Sequence, residues 1–241
     1  MHGNLRPLLA AALLATAPAG GEAPVLVRAA RLLDVETGEL RRDVAVLVRG
    51  ELVESVTAAG TASADAETID LGDLTLLPGL IDAHTHLVYG PDRLFPRFGR
   101  HPSVGAAERA LVGAANARAT LLAGFTTVRD LGACCFADVA LARAVADGLV
   151  DGPEIVPAGH VITTTGGSCD QTLAEPWVLD GGPEHGIADG GAAILRAVRY
   201  LLHGARVVKA CADRGNFTEE ELRVMADAAR RRDCSRCNAV S

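Results

Sequence analysis

The segment LPGLIDAHTH, residues 77–86, ends a short apolar run with two histidines one residue apart. In a β-strand the side chains at positions i and i+2 point to the same face, so His84 and His86 can offer two imidazoles to one metal ion. The alternative is a chance HxH pair in a turn, because histidine has roles other than metal ligation. The segment predicts a strand with metal ligands at its carboxyl end.

Downstream of this segment the sequence alternates between β-branched runs and amphipathic runs, which predicts parallel strands joined by helices. Thr218 and Glu221 are spaced as a capping box at the start of the last helix. Such alternation is typical of a (β/α)8 TIM barrel, which takes about 250 residues when whole. We therefore predict an α/β fold in which residues 80–241 form about four βα units, the first half of a barrel. The predicted strands cover residues 126–130, 154–162 and 207–211, and the helices cover 104–122, 137–149, 190–203 and 218–232.

Residues 20–79 are rich in β-branched residues and interrupted by turn-forming pairs, which predicts a β-rich segment before the barrel. Its strands are expected at residues 25–33, 44–48, 51–56, 69–71 and 75–77.

The first 19 residues have the pattern of an export signal. Arg6 supplies a positive charge, residues 8–16 are apolar, and Ala17-Pro18-Ala19 is an A-x-A cleavage site. The apolar run is too short to span a bilayer. The alternative is a disordered or wrongly assigned start. If the signal is used, the protein is periplasmic or secreted, and otherwise it is cytoplasmic.

The composition is that of a globular enzyme, with 49% hydrophobic and 22% charged residues and a net charge of −7. No basic stretch is present that could follow a phosphate backbone, so nucleic acid is excluded as a partner. Only 3% of the residues are aromatic. A core of Ala, Val and Leu is therefore expected, as suits parallel strands covered by helices.

The six cysteines do not have the placement of a disulfide framework. Cys134 and Cys135 are adjacent, and Cys169 and Cys211 are isolated in the sequence. The CxxC at residues 234–237 has no second pair and no nearby histidine, so we interpret it as incidental.

Several motifs occur together in one order: PGLIDAHTHL, GFTTVRDLG, TTTGGS, ADGG and GARVVKA. In order and spacing they resemble the imidazolonepropionase-like amidohydrolases, including the Xaa-Pro dipeptidase group. The resemblance covers about residues 25–232. It implies that residues 20–79 are part of a small β-sandwich, and that the rest is the N-terminal half of the barrel.

The resemblance also implies a metal site. In this family the lysine that ends the fourth strand, here Lys209, is carboxylated by CO2, and its carbamate bridges two metal ions. From the sequence alone, Lys209 could equally extend its ammonium group to solvent. One or two divalent ions, most simply zinc, would be held by His84, His86 and the carbamate. A metal-activated hydroxide would then attack a C–N bond in an amide, cyclic amide or dipeptide.

The family's two remaining histidines and its aspartate base come from later strands, so no catalytic residue can be assigned in this chain. His160, which ends the third strand, and Ser168 and Asp170, which follow a Gly-Gly pair, are weaker candidates for substrate binding. A lone histidine at a strand end is more often structural. Arg129 and Asp130 are expected to form a pair near the barrel mouth.

Two classes of function remain open. The first is a metal-dependent hydrolase of small amides or peptides, of which these residues form an incomplete, weakly active or inactive part. The second is a non-catalytic remnant, either unfolded alone or docking on another chain. The missing half-barrel predicts either an oligomer or a separate polypeptide as a partner.

Overall fold

The structure is a computed structural model that describes residues 23–60, 65–90, 105–170, 186–202, 204–212 and 216–231. The chain divides after Gly79 into two compact units. The predicted export signal and the CxxC at residues 234–237 lie outside the described residues. Within those residues, no helix has both the length and the hydrophobicity that crossing a bilayer requires.

The first unit is a five-stranded sheet of mixed direction with the order β3-β2-β1-β4, in which β5 also pairs with β1. Antiparallel pairs join β1 to β2 and β2 to β3, whereas β4 and β5 run parallel to β1. The β-rich prediction is confirmed, although β2 begins four residues before its predicted start. The strands are β1 (Val25–Leu33), β2 (Leu40–Arg49), β3 (Leu52–Ala58), β4 (Glu67–Asp70) and β5 (Thr75–Leu76).

The second unit combines a parallel sheet of order β6-β7-β8 with helices. Its mixed α/β character agrees with the predicted class. The strands are β6 (Leu80–Thr85), β7 (Phe125–Asp130) and β8 (Glu154–Pro157), and the described helices are α1 (Ala106–Leu122), α2 (Ala137–Ala146), α3 (Gly190–Leu201) and α4 (Glu219–Arg231).

The third strand is shorter than the predicted 154–162, because β8 ends at Pro157. Gly159 follows with φ +68°, a left-handed conformation that breaks a strand. Its backbone groups are also taken by other partners: its N–H donates to Asp138 and its carbonyl accepts from Ala133. Further along, Ile162 rejoins the sheet edge through a single parallel bridge to Ala210.

The predicted fourth strand, residues 207–211, does not form a regular strand in the structure. It runs beside the end of β8 and the residues that follow. The N–H groups of Arg206 and Val207 donate to the Pro157 carbonyl, and the Ile162 N–H donates to the Lys209 carbonyl at 2.8 Å. Because β8 ends before Gly159, residues 207–211 have no continuous strand beside them with which to form a ladder of hydrogen bonds.

The helix ends follow the expected signals closely. Gly124 has φ +97° directly after α1, as a C-terminal glycine requires. The capping box of α4 is confirmed: the Thr218 hydroxyl accepts from the Glu221 N–H, and the Glu221 carboxylate accepts from the Thr218 N–H at 2.8 Å. Helix α2 stops three residues before its predicted end because Gly148 turns the chain at φ +70°.

The core of the second unit is aliphatic, as the low aromatic content predicted. One buried cluster lies under α3 and α4 around Ile194 and Met225. A second packs α1 and α2 on the sheet and includes Leu87 and Val88. Because these two residues directly follow His86, the core anchors the chain at the end of β6.

Candidate metal centre

His84 and His86 lie together at the carboxyl end of β6, as predicted from their spacing. Their ring centroids are 5.4 Å apart with an interplanar angle of 63°. Both side chains are exposed rather than packed in the core. Two imidazoles on one exposed face can approach the same ion, so the pair fits the chemistry of a divalent metal.

The His86 ring is oriented by the loop that follows β7. Its Nδ1 lies 3.1 Å from the Gly132 carbonyl oxygen. A proton on Nδ1 makes this contact a hydrogen bond, and the lone pair then resides on Nε2, where a metal can bind. The Tyr89 ring lies 5.7 Å from the His86 ring, and the Arg109 guanidinium lies over Tyr89 at 5.3 Å.

Gly132 holds a position that no other residue fits well. Its φ is +142°, which L side chains rarely adopt, and a Cβ placed there would collide with the Val161 side chain. The same Cβ would lie 3.6 Å from the His86 Cε1. The last glycine of the GFTTVRDLG motif is therefore needed for the close approach of this loop to the histidine ring.

Asp130, at the end of β7, is completely buried and was not predicted as a site residue in its own right. Its Oδ2 accepts a hydrogen bond from the Leu87 N–H at 2.9 Å, whereas its Oδ1 has no partner. Burial and, to a smaller extent, the neighbouring Asp138 carboxyl raise the pKa of Asp130 to about 8. The backbone N–H groups of Leu87 and Gly132 lower the pKa of the same carboxyl.

Asp138 is a second buried carboxyl, in the first turn of α2. Its Oδ2 accepts from the Gly159 N–H at 2.7 Å, and its Oδ1 has no partner. Burial raises the pKa of Asp138, although several backbone N–H groups at the helix start lower it. The two aspartates thus bind the loops that follow β6 and β8. A polar residue on the inner face of an otherwise apolar helix turn is the signal that could have identified Asp138.

The expected pair between Arg129 and Asp130 is wrong. The Arg129 Nε donates instead to the Ala83 carbonyl at 2.7 Å, on the partly exposed side of the sheet. Adjacent residues of a strand point to opposite faces, so one side chain goes outward while the other is buried. Asp130 is therefore a buried carboxyl bound to backbone N–H groups, with no guanidinium partner among the described contacts.

The buried position of Asp130 leads to a prediction about pH. Because its folded pKa of about 8 lies above its ordinary value of 3.8, the folded state binds more protons than the unfolded state between these values. The free energy of unfolding of the metal-free chain should therefore fall as pH rises from about 4 to about 8, by at most about 1.4 kcal/mol per pH unit from this group.

Urea unfolding from pH 4.5 to 8.5 in the presence of a chelator measures this slope. Asp130→Asn should flatten it, whereas Asp151→Asn, at a side chain that is 82% exposed, should not. An unchanged slope in Asp130→Asn would contradict the assignment.

Lys209 is half-buried and lies at the same end of the sheet as the histidines. Thr85 pairs with Asp130, and Asp130 pairs with Pro157. Since the Arg206 N–H donates to the Pro157 carbonyl, Lys209 lies three residues beyond that level, toward the carboxyl ends of the strands. The described residues contain no group of three or more His, Cys, Asp or Glu side chains that could hold an ion.

The three weaker candidates lie in the segment after β8. The His160 ring packs edge-on against Phe136 with centroids 5.1 Å apart. Asp170 is 7% exposed, and its Oδ2 accepts from the Gly166 N–H at 2.8 Å. Ser168 is exposed beside Cys169. These contacts describe packing and loop closure, and none of them joins the three residues to the histidine pair.

The placement of the cysteines predicted no disulfide framework, and the described residues contain one disulfide. Cys169 and Cys211 form a disulfide, with Cα atoms 6.1 Å apart. They are 42 positions apart in sequence and meet because the segment after β8 folds back beside residues 206–211. The bond ties the TTTGGS loop to the second residue after Lys209.

Comparisons with known proteins agree with this geometry. The model of the Amidohydrolase family matches residues 75–235. The ochratoxinase of Aspergillus niger is 31% identical over 187 residues, which cover 66% of this chain and 37% of that enzyme. The imidazolonepropionase of Salinispora tropica is 38% identical over 81 residues, which cover 32% of this chain and 21% of that enzyme.

Among solved structures, a Xaa-Pro dipeptidase with bound methionine superposes with a TM-score of 0.77 at 26% identity, over 86% of this chain and 54% of that protein. The chain thus spans about half the length of this relative, and less of the curated enzymes. The family match includes the β6 histidines, β7 and β8, and extends past Lys209. On these findings, the resemblance predicted from the motifs is confirmed and the chain belongs to the amidohydrolase family.

Proposed function

We propose that this chain carries part of a metal-dependent hydrolase that cleaves C–N bonds in amides, cyclic amides or dipeptides. The observation that carries the proposal is the pair of exposed imidazoles at the end of β6, 5.4 Å apart. The contact of the His86 Nδ1 with the Gly132 carbonyl also supports the proposal, because a proton on Nδ1 places the ring's lone pair on Nε2.

The fold that goes with this proposal is the first half of a (β/α)8 barrel, preceded by part of a β-sandwich. The parallel order β6-β7-β8 supports it. So does the segment of residues 206–211, which continues the same parallel arrangement beside β8. The division into two units supports a domain boundary between Gly79 and Leu80.

His84, His86 and a carboxylated Lys209 are the residues that would hold one or two divalent ions, most simply zinc. A metal ion there would lower the pKa of a water molecule and polarise the substrate carbonyl. Of the chain's own groups, the Gly132 carbonyl keeps the His86 ring oriented, and carboxylation would give Lys209 the oxygen ligands that an ammonium lacks.

For the substrate we propose a small amide or a dipeptide. The dipeptidase of similar structure acts on Xaa-Pro dipeptides, as its name states, and a related prolidase was solved with N-methylphosphonate-L-proline. His160, Ser168 and Asp170 belong to the segment after β8 that would border such a substrate. Loops at the carboxyl ends of barrel strands are where specificity is usually found.

For localisation we propose the periplasm or the exterior of the cell. The sequence of the first 19 residues supports this, as does the Cys169–Cys211 disulfide, because such bonds persist in oxidising compartments.

The function can be tested through the carbamate. With zinc and 13C-bicarbonate present, the 241-residue chain should show a 13C carbamate resonance that Lys209→Ala removes and that His160→Ala retains. If zinc produces no Lys209-dependent signal, the alternative of a non-catalytic, partner-docking chain is favoured instead.

Hydrolysis by this polypeptide on its own should be near background. Zinc catalytic sites ordinarily have three protein ligands and a water, and a general base contributes a factor of about 10²–10⁴. The assay uses N-acyl amino acids and Xaa-Pro dipeptides, with His84→Ala and Lys209→Ala as controls. Robust activity that either substitution abolishes would show that further ligands come from a second chain.

A further inference from the structure

Asp130 connects the two places where the backbone determines the position of His86. Its Oδ2 accepts from the N–H of Leu87, the residue directly after the histidine. The Gly132 N–H lies near the same carboxyl and lowers its pKa. Gly132 in turn places its carbonyl oxygen 3.1 Å from the His86 Nδ1. One carboxyl thus holds the residue that follows the histidine and lies beside the residue that orients its ring.

The contacts of Asp130 distinguish it from an ordinary surface carboxylate. The residue has no solvent exposure, and its Oδ2 accepts a hydrogen bond from the Leu87 backbone N–H. Burying a carboxyl is costly unless its interactions compensate, and one oxygen of this carboxyl has no partner. An apolar side chain would fill the same space at lower cost. The hydrogen bond that the carboxyl makes to the Leu87 N–H is therefore the interaction that gives it a role here.

Asp138 contributes to the position of the same loop, the residues after β7, through Gly159. Its Oδ2 accepts from the Gly159 N–H, and the Gly159 carbonyl accepts from the Ala133 N–H at 2.7 Å. Ala133 follows Gly132 directly, so the loop after β7 is fixed on both sides. Asp130 lies at one end of residues 130–133, and Asp138 holds the other end through Gly159.

We propose that Asp130 is a positioning residue for metal binding: by holding the Leu87 N–H and lying beside Gly132, it keeps the His86 ring in the tautomer and orientation that present Nε2 to the ion. This inference rests on the proposed metal-dependent function and assigns a role that the histidine and lysine ligands do not account for. Supporting residues of metal ligands typically contribute about 10–100-fold to metal affinity.

The test measures zinc affinity of the full 241-residue chain by competition with a chromophoric chelator. Asp130→Ala and Asp130→Leu remove the acceptor, and the leucine keeps the volume. Both should bind zinc about 10–100-fold more weakly than the unsubstituted chain. Asp130→Asn retains an acceptor oxygen and should restore most of the affinity. Asp151→Ala, at an exposed side chain in the same unit, is the matched control and should not change it.

Circular dichroism and thermal melting establish which variants fold. A folded Asp130→Ala or Asp130→Leu with unchanged zinc affinity would overturn the positioning role and leave the metal site intact. A His84→Ala variant with no change at Asp130 is also measured. If it binds zinc as tightly as the unsubstituted chain, the proposed function is overturned, and the positioning role with it.

A measurement on the unsubstituted chain covers the case in which neither variant folds. Long-range 1H–15N correlation of the imidazoles, with His86→Ala for assignment, should show the His86 proton on Nδ1 in the metal-free state. A proton on Nε2 would overturn the inference.

Discussion

Replacing both His84 and His86 with alanine should reduce the affinity of the chain for Zn2+ by more than about 100-fold, because losing ligands exceeds the 10–100-fold effect of losing a supporting residue. The two rings are the exposed imidazoles at the end of β6. Each single substitution should already remove most of the binding, since two ligands on one ion act together. Metal titration monitored by chelator competition gives the affinities.

The matched control for this experiment is His160→Ala. Its ring contacts Phe136 and lies apart from the β6 pair in all described contacts, so zinc affinity should stay within about twofold of the unsubstituted chain, as for changes away from a site. Equal zinc affinity in the double variant and the unsubstituted chain would show that the ion binds elsewhere.

Opening the Cys169–Cys211 disulfide should lower the free energy of unfolding by about 4 kcal/mol, the chain-entropy value for a closed loop of about this length. The bond closes a separation of 42 positions and connects the TTTGGS loop with the residues after Lys209. For a chain of this size, the change corresponds to a melting temperature lower by about 8–16 °C.

Thermal and urea unfolding of Cys169→Ala/Cys211→Ala, and of the unsubstituted chain with and without a dithiol reductant, measure the effect. Cys135→Ala, at an exposed thiol, is the control and should melt with the unsubstituted chain. If the reductant lowers the melting temperature of the double variant as much as that of the unsubstituted chain, the stabilisation does not come from this bond.

The sequence was informative wherever a role follows from a residue's own strand or helix. The spacing of His84 and His86 on a strand of period two was sufficient to predict their common face, and the spacing of Thr218 and Glu221 predicted the capping box. Strand limits were less accurate. The third strand stops at Pro157 because the backbone of Gly159 binds elsewhere, which no local pattern indicates.

Roles that depend on distant partners could not be predicted. Asp130 and Leu87 are 43 positions apart, and Asp138 and Gly159 are 21 apart. The disulfide likewise joins residues that only the folded chain brings together. In each case the sequence contains the residue but gives no sign of the distant partner that it contacts in the folded chain. The buried aspartates were therefore missed or, for Asp130, assigned to the wrong neighbour.

The strand that carries the histidines, β6, is an edge strand of the described sheet. In the described residues β6 hydrogen-bonds to β7 alone, and Ile81 on this strand is 71% exposed. An open strand edge is a template for pairing with another chain. Two molecules joined through this edge would pair the strands that carry the histidines, so that association could change how these side chains bind an ion. The number of ions bound per polypeptide then becomes a function of protein concentration, so metal content and state of association have to be measured on the same sample.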